Sequence, residues 1–314
     1  MSPKRTQHVF VVDRTEHLSP HMVRVHLGGP AFRDFVDGAD PDRLAATDKY
    51  VKLLLAPPSS GLTPPYDLEA LRETLPKHQR PARRTYTVRS VDHIAETIAI
   101  DFVLHDDHGH DDHGRDDHRP EDGPGDRGLA GPWAAAAQPG DLLALSGPGG
   151  GYAPSTDPTV THVLLGDDSA LPAIGAALAA MPHDARGVAL VEVGGAADEQ
   201  PLEHPDGVDL RWLHRDATGA EPGALLVAAA RALPRASRPV QVFAHGERTA
   251  VKALRRVLQD EWGLEKAEMS LSAYWALGRA EDRFQEEKRE PVGVIFGVVE
   301  VPAMVLPVAV LGRG

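Results

Sequence analysis

The chain contains no cysteine. That absence removes disulfides, thiolate metal sites, iron–sulfur clusters and cysteine nucleophiles together. Positive charge is also scarce: 33 Lys and Arg stand against 46 Asp and Glu, for a formal net charge of -13. A surface of that sign repels phosphate backbones and anionic headgroups unless basic groups gather locally, so nucleic acid is not an expected partner. No long apolar run opens the chain, because the basic start from Met1 to His8 leads only into Val9 to Val12, too short for a signal-peptide core. A cytoplasmic protein is expected. What is present is an ordinary globular composition, with 42% hydrophobic residues over 314 positions, enough for about two domains that each bury a core.

Up to about Ser155 the apolar residues come in short β-rich bursts, at Val9 to Val12, Met22 to Leu27, Tyr50 to Leu55, Thr85 to Val88, Ile98 to Leu104 and Leu142 to Leu145. Gly, Pro and Asp punctuate them, as between antiparallel strands, and the pattern predicts a small β-barrel. One helix is expected at Gly131-Pro132-Trp133, stopped by Gln138-Pro139-Gly140. From Val160 strands alternate with helices, including a helix over Glu247 to Trp262. That rhythm predicts a parallel sheet covered on both faces. The boundary falls near Ser155 to Pro158, giving a barrel domain over 1–155 and an α/β domain over 156–292.

The segment Arg84-Thr85-Tyr86-Thr87-Val88-Arg89 mixes the groups that a flavin uses. An apolar ring takes an aromatic partner, its N5 edge takes a hydroxyl or backbone donor, and a pyrophosphate takes a guanidinium fork. Tyr86, Thr87 and Arg84 match those roles, and an ordinary barrel strand with a charged rim matches them as well. Downstream, the helix start at Gly131-Pro132-Trp133 aims free N–H groups outward, as anion binding requires. Gly166-Asp167-Asp168-Ser169 lies at a strand-to-helix turn, where parallel sheets bind nucleotides, though it is not a Gly-x-Gly-x-x-Gly fingerprint. Ala244-His245-Gly246-Glu247 follows another strand, and Tyr274 and Trp275 are either core aromatics or a cover for the flavin.

These segments, together with Ser19 to Val25, Tyr50 to Leu53, Asp101-Phe102-Val103-Leu104-His105, Gly147 to Tyr152 and Ala273-Tyr274-Trp275 through Arg289, resemble the siderophore-interacting protein family over about residues 8 to 292. The resemblance implies a two-domain ferredoxin-reductase-like fold, an N-terminal antiparallel FAD barrel followed by a parallel-sheet nicotinamide-nucleotide domain. The implied activity is one-electron reduction of ferric siderophores, with FAD as cofactor and NADPH, NADH or a ferredoxin as donor. It implies cofactor contacts at Arg84, Tyr86, Thr87, Asp101, Val103, His105, Ala130, Gly131, Trp133 and Ala134, and a basic siderophore pocket at Lys52 and Lys288; Asp167 and Ser169 are further cofactor candidates from their place at the strand-to-helix turn. Gln285 stands where a further basic residue is expected, and Asp168 and Ser169 replace the commoner Glu and Thr. A generic flavin-dependent electron-transfer protein is the alternative enzyme.

Two segments fit neither domain. Between about 105 and 127, Asp-Asp-His repeats at 106, 111 and 116, and His108, His110, His113 and His118 with the neighbouring carboxylates offer divalent-metal ligands. A low-complexity solvent loop is the competing reading, and a non-enzymatic metal-binding module is the functional alternative it suggests. The apolar tail 293–314 is interrupted by Glu300, Pro302 and Pro307, which argue against a membrane span. Sheet-edge packing, a dimer contact and sequence foreign to the fold stay open.

Overall fold

The computed structural model describes residues 6–104, 128–235 and 239–296. Six antiparallel strands close a barrel: β1 (His8–Ser19), β2 (Met22–Gly28), β3 (Tyr50–Leu55), β4 (Ala82–Asp92), β5 (Thr97–Val103) and β6 (Leu142–Gly149), in the order β1-β2-β5-β4-β3-β6. Side chains on a strand alternate between faces, and this alternation builds the core. Phe10 and Val12, Val23 and Val25, Val51 and Leu53, Ile98 and Ile100, and Leu143 and Leu145 are each at most 1% exposed. Burying one such side chain contributes about 1.5–3 kcal/mol. Helix α1 (Ala31–Asp37) adds Phe35, whose ring meets Phe10 edge-on. Helices α2 (Pro41–Ala45) and α3 (Leu68–Thr74) are each capped by an aspartate, Asp40 and Asp67, that accepts from two backbone N–H groups. Helix α4 (Ala130–Ala136) seals the barrel with Ala130 and Ala134.

The second unit is a parallel sheet of β7 (Thr161–Asp167), β8 (Arg186–Val193), β9 (Val208–His214), β10 (Val240–Glu247) and β11 (Met269–Trp275), in the order β11-β10-β7-β8-β9. Strand order reverses at β7, so a crevice is expected between the C-terminal ends of β7 and β10. Helix α5 (Leu171–Ala180) is buried from Leu171 to Leu178 and packs against β4 of the barrel as well as β7. A helix apolar on every side is what a position between two layers requires. Helices α6 (Ala224–Ala232), α7 (Arg248–Arg256) and α8 (Glu281–Glu287) complete the fold.

The helix expected over Glu247 to Trp262 instead stops at Arg256 and widens into a π turn over Val257–Glu261. There the Trp262 N–H donates to the Val257 carbonyl at 2.9 Å, which returns the indole to the core. Helices α1, α2, α3 and α8, of seven residues or fewer, carry too little periodicity to be read from the sequence. Gly187 is required at the start of β8: it has φ 157, and a Cβ would lie 1.9 Å from the His162 carbonyl oxygen on β7. Gly187→Ala must therefore part β7 from β8, and urea denaturation is expected to show a loss of about 3 kcal/mol or more.

Candidate functional site

Strand β4 carries three of the anticipated residues. The Tyr86 ring lies 4.5 Å from Phe102 on β5, and Phe102 lies 5.7 Å from Trp133 on α4. Arg84 is buried, and its Nη1 donates to Asp282 Oδ1 of α8 at 2.7 Å and to the Arg83 carbonyl at 3.1 Å. Thr87 is buried and interacts with Tyr274 of β11, so β4 meets the α/β unit directly. Burial raises the hydroxyl pKa of both Tyr86 and Tyr274, and nearby carboxylates add to the effect. Both are neutral phenols.

Cations from both units stand near this strand. Lys52 on β3 donates to Thr85 Oγ1 across the β3–β4 pair and lies 5.3 Å from the Tyr50 ring centroid. Lys288, at the end of α8, lies 4.7 Å over the Phe284 ring. Burial holds the Lys288 ammonium below the ordinary lysine range, opposed by Glu281. Glu281 itself is pushed above the ordinary carboxylate range by burial, while a 2.8 Å bond from Gln285 and the charges of Arg84, Lys288 and Lys52 pull it back. Three cations from two structural units thus act on one carboxylate. The neighbouring Glu287 is buried and accepts from Arg248 at 2.5 Å, Arg279 at 2.9 Å and Arg283 at 3.1 Å, which fixes the helix carrying Lys288.

At the crevice between β7 and β10, the Asp167 carboxylate accepts from Ser169 N and Oγ at 3.0 and 2.5 Å, from Glu247 N at 2.8 Å and from Trp275 Nε1 at 2.8 Å. The side chains of Asp167 and Ser169 are therefore committed to the junction itself. His245 is stacked on Phe243 with centroids 3.8 Å apart, and burial lowers its pKa to about 3. It is a neutral imidazole. Asp168 accepts from Arg215 at 2.7 Å, yet burial outweighs that partner and raises its carboxyl pKa from 3.8 to about 6. A carboxyl with a raised folded-state pKa favours the fold when protonated, so its contribution is lost as pH rises from about 4 to about 6. Urea midpoints across that window are expected to fall more steeply in the native chain than in Asp168→Asn.

The other anticipated residues divide. Both oxygens of Asp101 are taken by Arg24, at 2.6 and 2.8 Å, and Val103 packs on the interdomain apolar cluster that includes Met22 and Leu171. Ala130, Ala134 and Trp133 face the barrel core with their side chains, leaving their backbone for any ligand. The start of α4 has no side-chain cap among the described residues, and a Cβ at Gly131 would lie 3.3 Å from the Val103 carbonyl. His105, His108, His110, His113 and His118 lie outside the described residues. Among the described residues no group of three or more His, Asp or Glu is arranged to hold a metal, and no helix is long and apolar enough to cross a membrane. Glu281 and Asp282 were not anticipated. Nothing local distinguishes them from Glu286 and Glu290, and only the contact of α8 with the barrel reveals them.

The donor set fits a flavin dinucleotide: a buried guanidinium, a tyrosine ring and a threonine hydroxyl stand in order on one strand, beside a helix start without a side-chain cap. Comparison with known proteins agrees. Residues 11–152 match the siderophore-interacting FAD-binding domain, and residues 159–278 match the family described as siderophore-interacting protein. The chain is 41% identical over 299 residues to Rv2895c of Mycobacterium tuberculosis, covering 91% of this chain and 96% of that one. It is 30% identical over 275 residues to the ferric vibriobactin reductase ViuB of Vibrio cholerae, covering 88% and 91%. Among solved structures, the siderophore-interacting protein SipS from Aeromonas hydrophila superposes with a TM-score of 0.69 at 29% identity, covering 91% and 98%. A ferredoxin-NADP+ reductase from Plasmodium falciparum, at 8% identity and TM-score 0.56, shares the fold alone. The chain belongs to the siderophore-interacting protein family and carries that family's FAD-binding domain, on a ferredoxin-reductase-like fold.

Proposed function

We propose that the chain reduces ferric siderophores to release iron, using FAD and electrons from NADPH or NADH. The observation that carries this reading is that Lys52 and Arg84 stand on the paired strands β3 and β4 while Arg84 bonds Asp282 of α8, the helix that ends at Lys288, which brings three cations of the two units together beside Tyr86. In a chain of net charge -13, a cation cluster beside an aromatic strand is where an anionic chelate and an anionic cofactor are both attracted. FAD supplies the conversion between a two-electron nicotinamide donor and one-electron acceptors. The balance is one NAD(P)H and two Fe(III) giving NAD(P)+, a proton and two Fe(II).

The residues divide the work by position. Arg84 offers its fork to the pyrophosphate and Tyr86 its ring to the isoalloxazine. Thr87 turns its hydroxyl to the N5 edge. The backbone of Val103 and that from Ala130 to Ala134 flanks the phosphates. Lys52 and Lys288 face the chelate. The dinucleotide donor meets the crevice at Gly166 to Ser169 through backbone groups, with neutral His245 behind it. FAD falls to residues 1–155 and the nicotinamide nucleotide to 156–292, in a cytoplasmic protein.

An absorbance spectrum tests this reading. The purified chain is expected to show a flavin spectrum that bleaches on anaerobic addition of NADPH or NADH. No flavin after reconstitution with excess FAD overturns it, and bleaching only by reduced ferredoxin overturns the choice of donor.

A further inference from the structure

A cavity of about 260 Å³ lies beside the cation cluster, between α3, the start of β4 and α8. Its apolar lining comes from Leu54, Leu68 and Leu71, and Arg72, Lys77 and Arg83 stand at its rim. Leu54 is buried, and the two helix leucines are half-buried. Arg80 frames the cavity, donating through Nε to the Leu75 carbonyl at 2.6 Å and through Nη2 to the Arg72 carbonyl at 2.8 Å. That guanidinium therefore ties the segment after α3 back to the helix, and the wall has a defined shape.

Among the described residues that line the cavity the charge is one-sided. Asp282 is the one carboxylate in its lining, and it is paired with Arg84. Lys77 makes only a long contact of 3.8 Å to Glu286, with both side chains well exposed, a pair that contributes little. An apolar lining under a cationic rim is the arrangement for an organic anion with an apolar body. The volume is below the ~300–1,000 Å³ of sites for drug-sized ligands, so it suits a fragment of one or two rings.

Position says what that fragment belongs to. Leu54 lies two residues from Lys52 on the same face of β3, and Asp282 bonds Arg84 at 2.7 Å from α8, the helix that ends at Lys288. We infer that this cavity is a side pocket for an aromatic-acid arm of the ferric chelate, an aryl group bearing a carboxylate or phenolate. The inference rests on the proposed reductase function for the identity of the ligand, and the pocket's chemistry can be tested apart from it.

Salicylate is the probe, with salicylamide as its uncharged analogue and acetate as the anion without a ring. Calorimetric titration of the FAD-loaded full chain is expected to show salicylate binding in the millimolar range or tighter, with salicylamide and acetate each at least about tenfold weaker. Arg72→Glu/Arg83→Glu, which reverses the rim, and Leu71→Trp, which fills the floor, are each expected to weaken salicylate binding about tenfold or more. Circular dichroism and FAD content confirm that the variants fold. In turnover, salicylate is expected to raise the apparent KM for a ferric chelate bearing aromatic-acid arms. Salicylate binding that ignores all these changes, or is absent, overturns the pocket. Binding that leaves the KM unmoved overturns its assignment to a chelate arm and makes it a site for a free aromatic acid. A chain that binds salicylate here but reduces no ferric chelate overturns the reductase reading instead.

Discussion

Asp101→Asn is expected to cost about 3 kcal/mol in unfolding free energy, because breaking a buried ion pair from one side leaves the other charge uncompensated. Asp101 is 4% exposed, and its two oxygens receive the Nε and Nη2 of Arg24. Asparagine keeps the shape but offers one acceptor to a guanidinium fork that needs two, and it carries no charge. The damage spreads through Arg89, whose guanidinium is held below its ordinary pKa by burial and then by Arg24, while Asp101 opposes both effects. Without Asp101, the charges of Arg24 on β2 and Arg89 on β4, the strands that flank β5, lose the carboxylate that offsets them. Arg89 also lies against α5, where a Cβ at Gly175 would be 3.1 Å from its Nη2, so the loss reaches the contact between barrel and sheet. Urea denaturation of Asp101→Asn beside the double variant Arg24→Met/Asp101→Leu measures this. The double variant is expected to recover much of the loss, as apolar replacements of buried pairs do. Equal damage in both would show that packing, not the stranded charge, is at stake.

Arg84→Ala is expected to weaken FAD binding about 100-fold, or about 2.7 kcal/mol, which is the scale of a charge-assisted bidentate contact. The Arg84 side chain is 9% exposed and held on one side by Asp282 at 2.7 Å, so its fork is oriented before any ligand arrives. Pre-orientation of this kind reduces the ordering cost on binding. Arg84→Lys is expected to recover only part of the affinity, because an ammonium has no planar fork. Quenching of FAD fluorescence on titration with apoprotein gives the constants. An Arg84→Ala chain that binds FAD as tightly as the native one would remove Arg84 from the cofactor site.

The barrel and the parallel sheet were legible because strand alternation and strand–helix rhythm are local properties, seen in Phe10 and Val12 as clearly as in Val163 to Leu165. The order of Arg84, Tyr86 and Thr87 was legible for the same reason, since the strand carries its own geometry. Less legible was what side chains do once folded. Asp101 and Asp167 resemble ligand contacts in the sequence, whereas the structure commits the first to Arg24 and the second to Ser169, Glu247 and Trp275. Glu281 and Asp282 show the converse. They lie nearly 200 residues from Arg84, and only the folding of α8 back against β4 brings them to it. The π turn after α7 has no sequence signature of its own, because its cause is the demand of Trp262 for the core.

The most direct test of the central claim is anaerobic mixing of the photoreduced flavoprotein with a ferric siderophore, following flavin absorbance and capturing Fe(II) with a chromogenic chelator. The account predicts reoxidation of the flavin with two Fe(II) captured per flavin, at a rate that falls in Lys52→Glu and Lys288→Glu. A reduced flavin that stays reduced before ferric siderophores, while passing its electrons readily to other acceptors, would contradict it.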